Sequence, residues 1–421
     1  MRFVHAADLH LDSPLRNLAL HDDAALERMR RATRDAFEKL IDFCLDERVA
    51  FLLVPGDLYD RDTPNMQIAV FLRKQLLRLQ RAGIRCIVLR GNHDAANKIT
   101  SALALPDNTR ILDDRQPETV IFNDLPCPVA LHGQSFAPGP VLENLAAAYP
   151  APLRGHLNIG LLHTSLAGSP EHDPYAPCSL DDLRTRGYAY WALGHIHKAA
   201  VLHEDPWIVY PGNLQGRHAK ETGPKGCVLV DTDAEQIRFV TPVPLDVIRW
   251  HHLEVDLEGV ASEHETTERL RHAVAAAHRN ADGLASAMRL TLSGRTALAS
   301  DFERRPQRWR QTVIELADEI SASLGGEIWI ERLIDTTHTP TAAPRHESAE
   351  DLIALMREIA SDPHRLGSIL QDIAEPLRAR LPEELKDLPI LAQLRDPAQA
   401  PDLIKRIEPR IAARLQGEET E

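Results

Sequence analysis

Two uninterrupted apolar runs constrain the fold of this chain more than any other feature: "VAFLLVPGD", from Val49, and "IRCIVLRGNHD", from Ile84. Short runs that are apolar at nearly every position and closed by a turn read as buried strands. Between them, "DTPNMQIAVFLRKQLLRLQRAG" has the spacing of a helix, with an N-cap at Asp62 or Thr63, an early Pro64 and a stop at Gly83. The stretch from Glu27 to Glu47 repeats the helical spacing through Met29, Ala32, Ala36, Phe37, Leu40, Ile41 and Cys44. Arg2 to Ala6 reads as a short opening strand. The later apolar runs "VALHGQSF", "HLNIGLLHTS", "YAYWALGHIH", "WIVYPG", "GCVLVD" and "QIRFVTPV" come with few helices between them. An α/β start followed by strand-rich sequence predicts an α/β fold, an α+β sandwich of two packed mixed β-sheets flanked by helices.

At 421 residues the chain is too long for one compact core. Residues 1–245 form the first expected domain. Near Trp250 the pattern changes to alternating strands ("HLEVDL", "MRLTLSG", "EIWIERLI") and helices, one opened by a capping box of Ser262 and Glu265. This predicts a small α+β cap domain over 246–337. Residues 338–347 are a polar, proline-bearing linker. Residues 348–421 form a helical C-terminal segment, with Ser348 as a cap and an apolar stripe of Leu352, Leu355, Met356 and Ile359.

The 5 cysteines are scattered and form no C-x-x-C, which argues for a reducing cytoplasm and against a disulfide frame. No apolar run is long enough to span a bilayer, so no membrane association is expected. The net charge of −14 disfavours binding a polyanion over the whole surface. It leaves room for a nucleic-acid partner, because cations bound at a carboxylate cluster reverse the local field.

Polar groups stand at the ends of the apolar strands. Asp8 and His10 follow the first, on one side of an extended backbone. Asp57 follows Gly56, and Asn92 and His93 follow Gly91. His163 ends "GLLH", and His195 and His197 repeat the one-residue separation. The carboxyl ends of strands are where α/β sheets bind ligands. Carboxylates, imidazoles and one amide oxygen, with no thiolate, suit Mn²⁺, Fe²⁺ or Zn²⁺ and not calcium. Seven of these groups, leaving His93 aside, already exceed the needs of one ion. Two divalent metal ions sharing a carboxylate, the apparatus of phosphoester cleavage, would use them all.

The ordered set D-x-H, G-D, G-N-H-D, H and G-H-x-H resembles the calcineurin-like metallophosphoesterase superfamily. Within it, "HAADLHLDSPL", "GDLYDRD", "LRGNHD" and "ALGHIHK" followed by "YPGNLQGRH" are similar to SbcD-type DNA repair exonucleases of the YhaO-like branch. The resemblance implies one metal held by Asp8, His10, Asp57 and His197. It implies a second held by Asp57, Asn92, His163 and His195, with Mn²⁺ the expected ion. His93 becomes the catalytic histidine and Asp94 an orienter of nearby groups. Asp60 stands where some relatives carry a second catalytic histidine.

The resemblance further implies DNA as substrate, an SMC-like coiled-coil ATPase subunit docking on the C-terminal helices, and a homodimer. Arg61, Lys98, Arg217, His218, Lys220 and Lys225 are the basic residues placed to grip backbone phosphates. Two other classes compete with a DNA exonuclease. One is a phosphoesterase for nucleotides or other small phosphoesters, and the other a non-catalytic scaffold that tethers DNA ends.

Overall fold

A computed structural model describes residues 1–11, 13, 23–59, 66–94, 105–139, 141–166, 175–340, 354, 355, 357, 358, 361 and 362. The expected helices of 348–421, the linker and the N-cap at Asp62 or Thr63 therefore lie wholly or largely outside the described residues. The chain divides into two compact units. One comprises Met1–His252, His278–Met288 and Leu324–Glu331, and the other Leu253–Ala277, Arg289–Ser323 and the chain from Arg332.

The first unit is built on two six-stranded sheets. Its opening strand β1 (Arg2–His5) is followed by α1 (Asp23–Asp46), β2 (Phe51–Pro55), α2 (Met66–Arg81), β3 (Arg85–Leu89) and β4 (Thr109–Ile111). Then come β5 (Glu118–Phe122), β6 (Val129–Gly133), a 3₁₀ turn at Leu145–Ala148, β7 (Leu157–His163), α3 (Leu180–Arg184) and β8 (Tyr190–Gly194). The series ends with β9 (Ala200–Glu204), β10 (Trp207–Tyr210), β11 (Gly226–Asp233) and β12 (Gln236–Pro244). One sheet has the order β12-β11-β1-β2-β3-β4 and the other β5-β6-β7-β8-β10-β9. In the first, β1, β2, β3 and β4 run parallel, Val4 opposite Leu52 and Leu53 opposite Ile87. In the second, β6, β7, β8 and β10 run parallel.

Successive side chains of a strand point to opposite faces, which explains why these strands are apolar throughout. Phe3, Phe51, Leu53, Ile87 and Leu89 pack between the sheets with Leu131, Ile159, Leu161, Tyr190 and Ala192. Their neighbours Val4, Leu52, Val54, Cys86 and Val88 face the other way, into a core with Phe37, Leu40 and Ile41 of α1 and Leu72, Leu76 and Leu79 of α2. Each large side chain so buried contributes roughly 1.5–3 kcal/mol relative to exposure. All five cysteines are buried free thiols.

The remaining elements are β13 (Ile248–Asp256), α4 (Glu263–Arg279), β14 (Ala285–Ser293), α5 (Ala299–Arg304), α6 (Pro306–Leu324) and β15 (Ile328–Asp335), the strands forming a third sheet in the order β13-β14-β15. Ser262 Oγ accepts the Glu265 N–H at the start of α4, as its capping pattern predicts. Leu270, Val274, Leu290, Leu292, Trp309 and Val313 are buried within the second unit, and Phe302 packs on Trp309 with ring centroids 4.6 Å apart. No helix among the described residues is long and apolar enough to cross a membrane.

Candidate metal centre

Parallel strands deliver the polar groups to one place. Asp8 and His10 follow β1, Asp57 follows β2, Asn92 and His93 follow β3, His163 ends β7, and His195 and His197 follow β8. The backbone bends sharply there. Asp8, His10, Asp57 and His195 have φ of 51°, 42°, 54° and 100°, in a region that side chains rarely occupy. Such strain persists only where the surroundings hold it. Asp8 N–H donates to Gly56 O at 3.2 Å and His10 N–H to Asp57 O at 3.1 Å. The Asp8 carboxylate in turn accepts the His195 N–H at 3.0 and 3.1 Å.

Two glycines make room. A Cβ on Gly56 would stand 2.2 Å from His163 Nδ1, and its φ of +103° is itself glycine territory. A Cβ on Gly91 would stand 2.3 Å from Asp57 Oδ1.

The side chains form three groups whose ligand atoms lie within 4.8 Å of one another: Asp8, His10 and His197; His10, Asp57 and His93; and Asp57, His163 and His195. Asp57 joins them, its Oδ2 being 3.8 Å from His10 Nε2 and 3.5 Å from His163 Nε2. Asn92 Oδ1 lies 2.9 Å from His163 Nε2 and 3.3 Å from His195 Nδ1. The structure thus brings all seven predicted ligands together, with His93 beside them.

The donor set fits divalent cations. Burial, and secondarily Asp57, push the Asp8 carboxyl well above its ordinary range. Burial and Asp57 take Asp94 to about 7. Burial lowers His163 to about 3, which leaves its imidazole neutral. Crowded buried carboxylates beside neutral imidazoles are unfavourable alone and favourable around a cation. The Nε2 atoms of His10 and His197, 3.1 Å apart, likewise need a shared proton or a shared cation between them.

Comparison with known proteins agrees with this geometry. Residues 1–199 match the family model of calcineurin-like phosphoesterases. That match places residues 1–199 with the calcineurin-like metallophosphoesterases. Residues 250–338 match the model of the metallophosphoesterase YhaO middle domain. The chain is 39% identical over 259 residues to "Uncharacterized metallophosphoesterase YhaO" of Bacillus subtilis, a match covering 61% of this chain and 63% of that one. It is 25% identical over 277 residues to the DNA double-strand break repair protein Mre11 of Sulfurisphaera tokodaii, covering 62% and 67%. With the Mre11 of Methanopyrus kandleri it shares 24% over 233 residues, covering 51% and 48%. These matches span about half to two thirds of the relatives' own lengths.

Around the donors lies a supporting layer. Asp94 accepts N–H groups from Leu58 at 3.0 Å, Tyr59 at 2.9 Å and Gly91 at 3.2 Å, and so ties the loop after β2 to the loop after β3. His163 Nδ1 lies 2.9 Å from Pro55 O, across the two sheets. Glu221, which the sequence pattern did not single out, lies 2.7 Å from His197 Nδ1.

The basic residues fare differently. Arg61, Lys98 and Asp60 lie outside the described residues. His218 and Lys220 are exposed. Arg217 is mostly buried, with its guanidinium 3.4 Å from Ser13 Oγ and 3.3 Å from His197 Nδ1. Lys225, expected on a phosphate-gripping loop, is buried instead and donates from Nζ to His197 O at 2.8 Å. The loop folds back onto β8's extension, so this lysine is spent on the backbone.

Proposed function

We propose that this metallophosphoesterase is a metal-dependent DNA exonuclease acting in DNA repair, with Mn²⁺ as its metal. The observation that carries the reading is the position of Asp57, one carboxylate oxygen between two sets of donors. Asp8, His10, Asp57 and His197 would hold one ion, and Asp57, Asn92, His163 and His195 the other. Bound ions of this kind neutralise a phosphodiester and lower the pKa of water. The similarity to Mre11 proteins, which runs beyond the phosphoesterase model, supports DNA as the substrate.

The chain's own residues prepare this chemistry. Asp57 Oδ1 accepts the His93 N–H at 3.0 Å and thereby fixes the start of the His93 side chain. The His93 ring sits edge-on to His10, centroids 5.0 Å apart, and is half-buried. From there it donates a proton or hydrogen bond to the oxygen that gains charge, a contribution of about 10²–10⁴-fold. Asp94 holds the two loops that carry Asp57 and Asn92. No covalent intermediate is required.

The test is cleavage of linear duplex DNA with Mn²⁺ by the wild type and by His93→Ala. The expected result is end-dependent digestion, lost in the variant while its metal content is unchanged. Cleavage of a small chromogenic phosphodiester with DNA left intact would favour small phosphoesters, and DNA-end binding without cleavage would favour a scaffold. The reading extends to an SMC-like ATPase docking on residues 348–421, supported by the apolar stripes of that sequence. A chain ending at Thr339 should keep diesterase activity and no longer co-purify with such an ATPase.

A further inference from the structure

Glu221 contributes nothing to the predicted donor set, yet it is almost wholly buried directly behind it. Both of its oxygens are engaged. Oε1 lies 2.7 Å from His197 Nδ1, and 3.5 Å from Arg217 and from His218. Oε2 accepts the Arg217 N–H at 2.7 Å and the Asn213 side-chain amide at 2.9 Å. The far edge of the His197 ring, Nε2, faces His10 and Asp8.

Two groups compete for His197 Nδ1. Arg217 approaches at 3.3 Å and could only donate to it, while Glu221 approaches at 2.7 Å and could only accept from it. The shorter, charge-assisted contact wins. Nδ1 then carries the proton, and Nε2 presents a lone pair to the cluster. The same loop also holds the backbone of His197. Lys225 Nζ donates to His197 O at 2.8 Å and Asn213 N–H donates to it at 3.3 Å. Asn213 pairs as well with Ala7, the residue before Asp8. One loop therefore grips His197 at its ring and its carbonyl, and reaches the neighbour of another donor.

Resting on the reading of the cluster as a divalent-cation centre, we propose that Glu221 is a positioning residue that fixes His197 in its Nδ1–H tautomer, so that the loop from Asn213 to Lys225 sets the cation affinity of the position made by Asp8, His10 and His197. Carboxylates behind metal-binding histidines raise ligand basicity and fix ring orientation, and their loss weakens metal binding by about 10–100-fold.

Titration of the metal-free full chain with Mn²⁺ alone, followed by calorimetry, tests this without reference to hydrolysis. In Glu221→Gln, an amide NH₂ must face either the His197 Nδ1–H or the donors of Arg217 and Asn213. One of two Mn²⁺ positions should weaken by ~10–100-fold while the other holds. In a His197→Gln background the same substitution should add nothing, since it acts through His197. Unchanged Mn²⁺ affinity in Glu221→Gln, or an equal further loss in the His197→Gln background, would overturn the proposal. A measurement on the wild type guards against misfolding of the variant. In long-range ¹H–¹⁵N spectra, the metal-free protein should show His197, identified by its absence in His197→Gln, as the Nδ1–H tautomer, and an Nε2–H tautomer would overturn the proposal. A wild type that binds no Mn²⁺ at all would remove the metal centre itself, an outcome distinct from a wild type that binds Mn²⁺ and a variant that matches it.

Discussion

The carboxylate of Asp8 accepts the backbone N–H of His195 through both oxygens, at 3.0 and 3.1 Å, so the loop after β1 is clipped to the loop after β8 in the facing sheet. Asp8 thereby has two duties, one structural and one chemical. Asp8→Asn separates them, because an amide oxygen still accepts the N–H while the charge is lost. Burial and Asp57 make that charge unfavourable in the metal-free protein at neutral pH. The variant should therefore melt no lower than the wild type in EDTA. It should lose the stabilisation that Mn²⁺ gives the wild type, together with hydrolysis. A metal-free variant that melts well below the wild type would show the charge itself to be structural.

A methyl group tests how tightly the centre is packed. The Cβ of Gly91→Ala would stand 2.3 Å from Asp57 Oδ1 and 2.8 Å from His163 Cε1. Neither neighbour can retreat without leaving its position. Misplacement of about 1 Å lowers rates by ~10²-fold, so hydrolysis should fall at least that far and bound metal should drop. Gly83→Ala is the contrasting control. A Cβ there meets nothing within 4 Å, but φ is +73°. It should lower stability by about 1–2 kcal/mol and leave turnover unchanged.

The donors were legible in the sequence because each closes an apolar strand, and a strand's carboxyl end is a fixed address in an α/β sheet. The continuous apolar runs at Phe51 and Cys86 likewise announced strands covered on both sides. What stayed hidden depends on chain reversals that no local pattern encodes. Glu221 sits in "GRHAKETG", a stretch as polar as any surface loop, and only the fold carries it beneath His197. Lys225 in the same stretch reads as a solvent-facing cation for the same reason. The order β8-β10-β9, in which a strand inserts beside β8 after a hairpin excursion, also follows from distant pairing and not from periodicity.

Asp94 offers a test of the supporting layer. Its Oδ2 accepts N–H groups from Leu58 and Gly91, and its Oδ1 accepts one from Tyr59. In Asp94→Asn one side must turn an NH₂ toward a backbone N–H. An unsatisfied buried donor costs about 1–3 kcal/mol, so the urea midpoint should fall by that equivalent. Turnover should fall too, because Asp57 and Asn92 ride on the loops that Asp94 joins. Full turnover with lowered stability would confine Asp94 to a role in folding.

The fully buried His5 makes the stability of the fold depend on pH. Its Nε2 is 3.1 Å from Leu193 O, an acceptor only, so Nε2 carries the proton and Nδ1 accepts from Tyr190 Oη at 3.0 Å. The ring is satisfied as a neutral group, and burial lowers it from 6.5 to about 3. Above pH 6.5 the ring is neutral whether the chain is folded or not, and stability is complete. As pH falls from 6.5 toward 3, the unfolded chain takes up a proton that the folded chain refuses. Stability then declines by about 1.4 kcal/mol per pH unit from this residue alone. Asp94, raised to about 7, acts in the opposite sense over much of that range, so the raw profile mixes both effects. His5→Gln isolates the histidine, since it keeps a donor for Leu193 O and cannot titrate. Urea unfolding in EDTA at pH 7.5, 6 and 5 should show the wild type's advantage over His5→Gln shrinking by about 1 kcal/mol per unit below pH 6.5. Parallel profiles for the two proteins across that range would mean that His5 is protonated as easily in the fold as outside it.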